Sequence, residues 1–279
     1  MEALLSNIQV QLNPDVPPTG SDLGIVNAAR KSFGKRSEYD SGGSIKDKDK
    51  RLLEFLARGM TADDFEGLFA ELESEFNEFT HYNDEPKETI KELLWQWRNT
   101  PTHDTPFNHG FFSFEVKAPV FVRAQLVKHE YLIMSEYSRR YITDDIEFYE
   151  PDVWRGAAED KKQGSSGVVN LEKVKGWYDA YEGTVNASDA IDITMESVLD
   201  LYKHLVEIGV APEQARMVLP QSLMTAWTWS GTLGAFAKMC QLRLHKDAQL
   251  ETQMVAQQVY EELKKQFPVA APLLVEGVK

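Results

Sequence analysis

The sequence has a single cysteine, Cys240, in 279 residues. One thiol excludes an internal disulfide and any cysteine-rich zinc site. Its neighbours Phe236, Ala237 and Met239 mark it as a packed thiol and not a nucleophile. Long apolar runs are missing too. Nothing approaches the roughly 18 uncharged apolar residues of a membrane helix, and Met1 to Gln11 carries no basic start followed by an apolar block. The sequence therefore predicts no membrane partner and a cytoplasmic location. Positive charge is scarce, with 30 Lys+Arg against 44 Asp+Glu and a formal net charge of −14. A general nucleic-acid surface needs a basic face, so no nucleic-acid partner is expected. A phosphate ligand is not excluded, because exposed charges are screened beyond roughly 8 Å at physiological salt. His103 and His109 suggest a metal pair, but nothing completes a ligand set, and no metal is expected.

Apolar residues make up 42% of the chain, ample for a core. Ile8, Val10 and Leu12 alternate with polar residues as an early strand ended by Asn13-Pro14. A helix follows near 23–31. A second, 46–58, carries Leu52, Leu53, Phe55 and Leu56 on one side, and Gly59 stops it. Thr61 with Asp64 signals a further helix start, with Phe65, Leu68, Phe69, Leu72 and Phe76 at helical spacing, and 86–97 completes a helical hairpin. Phe112, Phe114 and Val116 alternate as a strand, and Pro119 opens a helix bearing Gln125 and His129. From 150 to 186 the composition turns polar, with 161–167 as a mobile loop. Beyond Ser188, Val198, Leu201, Tyr202, Leu205 and Val206 form an apolar stripe ended by Gly209. A short helix beginning at Pro212 carries Arg216. Leu223, Thr225, Trp227 and Trp229 then alternate as a strand, Thr232 caps a helix running past Arg243, and Asp247 caps a long last helix.

The densest polar patterning lies between Phe121 and Tyr141, FVRAQLVKHEYLIMSEYSRRY. Gln125, Lys128 and His129 stand at helical spacing and share a helix face, whereas Glu136, Ser138 and Arg140 stand two apart and share a face of an extended segment. Leu132, Ile133 and Met134 separate the two runs as a buried turn.

This stretch resembles the hallmark of the flavin-dependent thymidylate synthases, an Arg-His-Arg triplet and Ser followed by Asn-Glu-x-Ser-x-Arg-Tyr. Here the triplet reads Lys128-His129-Glu130 and the second part Ser135-Glu136-Tyr137-Ser138-Arg139-Arg140-Tyr141. Further landmarks follow in order. Ala29-Arg30-Lys31-Ser32-Phe33-Gly34 is similar to the N-terminal flavin segment. Thr105-Pro106-Phe107-Asn108-His109 resembles Thr-Pro-Phe-Glu-His and leads into Phe114-Glu115-Val116-Lys117-Ala118-Pro119. Trp154-Arg155, Pro212-Glu213-Gln214-Ala215-Arg216 with Leu219-Pro220, and Leu242-Arg243 with Ala248-Gln249 and Glu251 continue the series.

The resemblance implies an α+β fold, a mixed or antiparallel sheet with long helices like the thymidylate synthase complementing proteins. It implies one domain over 1–279, with insertions at about 62–101 and 157–186. It further implies FAD as cofactor, dUMP as substrate, methylenetetrahydrofolate and NADPH as co-substrates, and a homotetramer with active sites shared between subunits. Carried over by position, Gln125, Lys128, Glu136, Ser138, Arg139, Arg140, Arg216 and Arg243 are the dUMP candidates. Arg243 is also the catalytic candidate. Ser32, Thr105, Lys128, His129, Glu130, Glu136, Thr232 and Lys238 are the FAD candidates.

The departures gather on the flavin side. Glu130 replaces the second Arg of the triplet, Lys128 replaces the first, an Asn-x-Arg pair falls on Thr232 and Gly234, and a further Asn aligns with Lys238. Each lost charge-assisted hydrogen bond is worth roughly 1.5 to 3 kcal/mol. The changes motivate two other readings: a related modification such as hydroxymethylation or reduction of a pyrimidine nucleotide, and a non-catalytic nucleotide-binding homologue. Arginine suits the phosphate because its planar fork stays charged and donates two parallel hydrogen bonds. Arg140 and Arg216 fit that task. The resemblance sets Arg243 against the uracil ring, where a fixed cation stabilises developing negative charge. Gln125 both donates and accepts, as an imide edge requires. Ser138 has no histidine at a local spacing that would activate it, so a hydrogen-bonding role is expected.

Overall fold

The structure is a computed structural model that describes residues 7–58, 103–141, 143–158, 165–175 and 184–276, apart from these only Gly67 and Ala70. The helical hairpin expected over 61–97 and the insertion at 62–101 lie outside the described residues, as do most of the loop at 161–167 and the middle of the segment 157–186.

Four strands form an antiparallel sheet in the order β1-β2-β8-β3, with β1 Gln9–Leu12, β2 Phe111–Pro119, β3 Leu132–Glu136 and β8 Met224–Thr232. Period-two alternation gives it two unlike faces. The registers Phe114↔Trp229 and Val116↔Trp227 put large apolar side chains on one face. The other carries Ser113↔Ser230 and Glu115↔Thr228, bonded across the strands at 2.8 Å each. The polar face is satisfied by its own cross-strand bonds, so the apolar face alone needs covering.

Helices supply that cover. In chain order they are α1 Asp22–Arg30, α2 Asp47–Arg58, α3 Val120–Leu126, α4 Ala187–Glu207, α5 Leu233–Arg243, α6 Leu250–Gln266 and α7 Ala270–Val275, with a single turn at Pro212–Ala215. Phe236 of α5 meets Trp229 edge to face at 5.3 Å between ring centroids and Phe114 at 5.0 Å. Each such buried ring contributes about 1.5–3 kcal/mol by leaving water. Cys240 lies fully buried in this core, and burial pushes its thiol pKa up. A smaller cluster of Ile146, Phe148, Leu199, Tyr202, Ala215 and Leu223 packs α4 beside the β8 start. Among the described residues no helix is long and apolar enough to cross a membrane, and no group of three metal-ligating side chains occurs. The class is α+β, as expected.

Local expectations met mixed outcomes. Thr232 does cap α5, accepting from the Ala235 N–H at 3.3 Å. The triplet Leu132-Ile133-Met134 is no buried turn but the middle of edge strand β3, and pairing with β8 leaves Ile133 70% exposed. Glu136 is the last residue of that strand, and Ser138 to Tyr141 form a turn closed by the Tyr141 N–H on the Ser138 carbonyl at 3.0 Å, not an extended run. Helix α3 ends at Leu126, before His129. Asp247 does not cap the long helix. It lies beside His245, and Gln249 holds the N-cap position of α6. The polar stretch after Glu150 carries two hairpins, β4 Arg155–Ala157 with β5 Ser165–Val168 and β6 Lys173–Lys175 with β7 Thr184–Asn186.

Candidate active site

The end of β3 and the turn after it face the residues around Arg216 across a cavity of about 600 Å³. Glu136, Ser138, Arg139, Arg140 and Arg216 all line it, with Tyr137 and Thr225. Arg140 donates through Nε to Ser138 Oγ at 3.3 Å, and Arg216 donates through Nε to the Glu213 carbonyl at 3.3 Å. Neither has a carboxylate partner among the described residues. Glu136 is already compensated, since Arg123 approaches its carboxylate at 2.5 Å and Thr225 Oγ1 donates to it at 3.1 Å. Arg139 is buried, and its two terminal nitrogens donate to the carbonyls of Asp144 at 2.7 Å and Asp145 at 3.1 Å. It shapes the wall, while Arg140 and Arg216 present open guanidinium forks to the space.

Arg243 belongs to a different cluster. Its Nε donates to His129 Nε2 at 2.9 Å, and a terminal nitrogen donates to the Gln125 carbonyl at 3.2 Å. Burial and then the Arg243 charge depress the His129 pKa to about 4, so the imidazole is neutral and accepts. The Gln125 amide is oriented from α6: Thr252 Oγ1 donates to its oxygen at 3.1 Å, and its nitrogen donates to Gln249 Oε1 at 2.5 Å. Lys128 and Glu130 flank His129 on the exposed surface. None of Gln125, His129 and Arg243 lines the Arg140 cavity.

Ser32 and Thr105 meet in a third place, a cavity of about 820 Å³ between the end of α1, α2 and the turn Thr105–His109. Thr232 and Lys238 lie on the other side of that turn. Thr232 Oγ1 is 2.7 Å from Asn108 Oδ1, and Lys238 Nζ stands 3.4 Å from Asp104.

Comparison with known proteins identifies the family of the chain. The family model for the thymidylate synthase complementing proteins matches residues 17–269. A flavin-dependent thymidylate synthase of Thermosipho africanus is 36% identical over 167 residues, 60% of this chain and 68% of that protein. The chain belongs to the flavin-dependent thymidylate synthase family. The Wolbachia pipientis member is 28% identical over 259 residues, 92% of this chain and 71% of that protein. For a Thermus thermophilus member, 34% identical over 168 residues, the match spans 57% of that protein. A solved structure of a UMP/dUMP methylase, PolB from Streptomyces cacaoi bound with 5-Br dUMP, shares the fold with a TM-score of 0.63 at 23% identity, covering 98% of this chain and 96% of that one.

A Cβ on Gly234 would stand 2.7 Å from Asn108 Oδ1, and Asn108 itself replaces a Glu of the pattern. The Thr232–Asn108 and Lys238–Asp104 contacts occupy this face. The Ser32–Thr105 cavity could hold a flavin dinucleotide, since its described lining combines cations with apolar side chains and, among the described residues, includes no carboxylate. Sequence reading assigned no role to Arg123, Tyr149, Arg155 or Glu251. Glu251, at 3% exposure, receives Arg155 at 2.7 Å and the Tyr149 hydroxyl at 3.4 Å. Arg155 and Glu251 lie inside family landmarks, which was the available signal. The Arg123–Glu136 pair spans the α3 to β3 connection and leaves no mark in local spacing.

Proposed function

We propose that the protein methylates dUMP to dTMP, using FAD, methylenetetrahydrofolate as carbon donor and NADPH as reductant. The supporting observation is the pair Arg140 and Arg216, two forks without carboxylate partners among the described residues, on one cavity of about 600 Å³. They bind the nucleotide phosphate, with Ser138 beside them. Glu136, held by Arg123 and Thr225, orients the nucleotide through its carboxylate.

Arg243 acts at the base. Its guanidinium is held rigidly by neutral His129 and the Gln125 carbonyl, so its charge is preorganised for the anion that develops on the uracil ring. Gln125 meets the imide edge, its amide set by Gln249 and Thr252. A bound reduced flavin supplies the two electrons that turn a transferred methylene into a methyl group. The buried Cys240, its thiol pKa raised by burial, attacks nothing. Arg243 and Gln125 stand apart from the Arg140 cavity within one chain, which supports a homotetramer whose sites combine both clusters from neighbouring subunits.

The test is product mass. Enzyme, FAD, methylenetetrahydrofolate, NADPH and dUMP are incubated, and the nucleotide is weighed. A methyl gain supports the proposal. Unchanged dUMP or a hydroxymethylated nucleotide overturns it.

A further inference from the structure

The start of α6 carries three side chains that bear on one another and on Gln125: Gln249, Glu251 and Thr252. Glu251 is 3% exposed and receives Arg155 at 2.7 Å and the Tyr149 hydroxyl at 3.4 Å. Arg155 stands on β4, where its Nε also donates to Ser165 Oγ of β5 at 2.8 Å, so the cation is fixed from two sides. Burial would raise the Glu251 pKa, but Arg155, its own backbone N–H and the Gln249 side chain hydrogen-bond the carboxylate and keep it ionised. A carboxylate only accepts, so Gln249 must give it the amide nitrogen. The Gln249 oxygen is then left to accept from Gln125 Nε2, which it does at 2.5 Å. Gln125 Nε2 also faces the Phe121 carbonyl at 3.4 Å, and Gln125 Oε1 accepts from Thr252 Oγ1 at 3.1 Å. One acceptor lone pair is all that Gln125 has left to offer.

We infer that Glu251 is a positioning residue that sets base specificity: held by Arg155, it fixes the direction of the Gln249 amide and through it that of Gln125, which then accepts from uracil and rejects cytosine. Uracil carries a donor at N3 and cytosine an acceptor. An unanchored amide turns over about its last bond and serves both bases, because its two ends exchange donor and acceptor. An anchored one sets its oxygen against the cytosine N3, two acceptors face to face, and this repulsive element discriminates as much as the attraction to uracil does. Neither Arg155 nor Glu251 needs to touch the base. The inference rests on the reading that Gln125 meets the imide edge of dUMP, and goes beyond it in naming the charge that orients the amide and the base it excludes.

The experiment measures binding, not turnover. Full-length wild type, Glu251→Gln, Gln249→Met and Gln125→Met are titrated with dUMP and with dCMP by calorimetry, FAD being present throughout. Glu251→Gln keeps the shape but adds a donor, which frees both amides to turn over. Gln249→Met cuts the link at an exposed position and leaves the Arg155–Glu251 pair intact, so it decides the matter should Glu251→Gln not fold. The expected result is a fall of about tenfold in the ratio of dUMP to dCMP affinity in each variant, the worth of roughly one hydrogen bond. A general loosening of the fold weakens both nucleotides alike and leaves that ratio where it was. An unchanged ratio in Glu251→Gln, or in Gln249→Met should the first not fold, beside a lowered one in Gln125→Met, overturns the relay and leaves the functional reading intact. An unchanged ratio in Gln125→Met overturns the placing of Gln125 at the imide edge, and the inference with it.

Discussion

Arg243 and His129 meet nitrogen to nitrogen at 2.9 Å, the arginine donating and the imidazole accepting. Only a neutral imidazole can accept there. Burial, then the Arg243 charge, lower its pKa from 6.5 to about 4. The unfolded chain therefore takes up this proton first as pH falls. The contribution to stability is complete above about pH 6.5 and is lost as pH drops through the folded value near 4. In urea unfolding, the wild-type midpoint is expected to fall across this window more steeply than that of His129→Gln, which accepts without titrating. Parallel profiles would exclude His129 as the acid-sensitive group.

Arg155→Ala removes the charged partner of Glu251, a carboxylate with 3% exposure and one oxygen already unpaired. Burial, the largest single influence, would raise the Glu251 pKa, but the hydrogen bond and charge of Arg155, together with hydrogen bonds from its own backbone N–H and from Gln249, outweigh it and hold the carboxyl below its usual range. The expected cost is about 2 kcal/mol in urea unfolding at neutral pH. Arg155→Ala with Glu251→Gln is expected to recover part of it, because no buried charge is then left alone. No recovery would refute the ion-pair account.

Gly234→Ala places a methyl 2.7 Å from Asn108 Oδ1. Overpacking of this kind costs about 1–3 kcal/mol. Asn108→Ala in the same chain opens the space, so the double variant is expected to be more stable than the sum of the two single effects predicts. Additive melting temperatures would show that the contact is not the constraint.

Arg139 and Arg140 are adjacent in sequence and opposite in consequence. Arg139→Ala leaves the Asp144 and Asp145 carbonyls without their donors and is expected to lower stability by about 2 kcal/mol. Arg140→Ala, at an exposed position, is expected to change stability by less than about 0.5 kcal/mol. It is expected to weaken dUMP binding by about 10- to 100-fold. Thermal melts and calorimetric titration with dUMP separate the two, and a destabilised Arg140→Ala protein would contradict the assignment.

Much of this architecture was legible in local pattern. Alternation at Phe112, Phe114, Val116 and at Trp227, Trp229 marked two strands, which pair directly in the sheet. The Thr232 cap was visible because an N-cap bond reaches only three residues along the chain. The turn misread at Leu132 to Met134 shows the limit: a short apolar run reads as buried whether or not its outer face has a partner, and only pairing with β8 revealed Ile133 as an outward residue.

By itself the sequence marked individual strands, helices and the Thr232 cap, because periodicity and capping act over a few residues, while the α+β class came from the resemblance to the family. The tertiary structure alone decided which groups meet. His129 finds Arg243 across 114 positions and Asn108 finds Thr232 across 124, since those contacts follow from how α5 lies against α3 and the Thr105–His109 turn. It also decided that Arg140 and Arg216 share one cavity that Arg243 does not line, a partition set by long-range packing to which local spacing is blind.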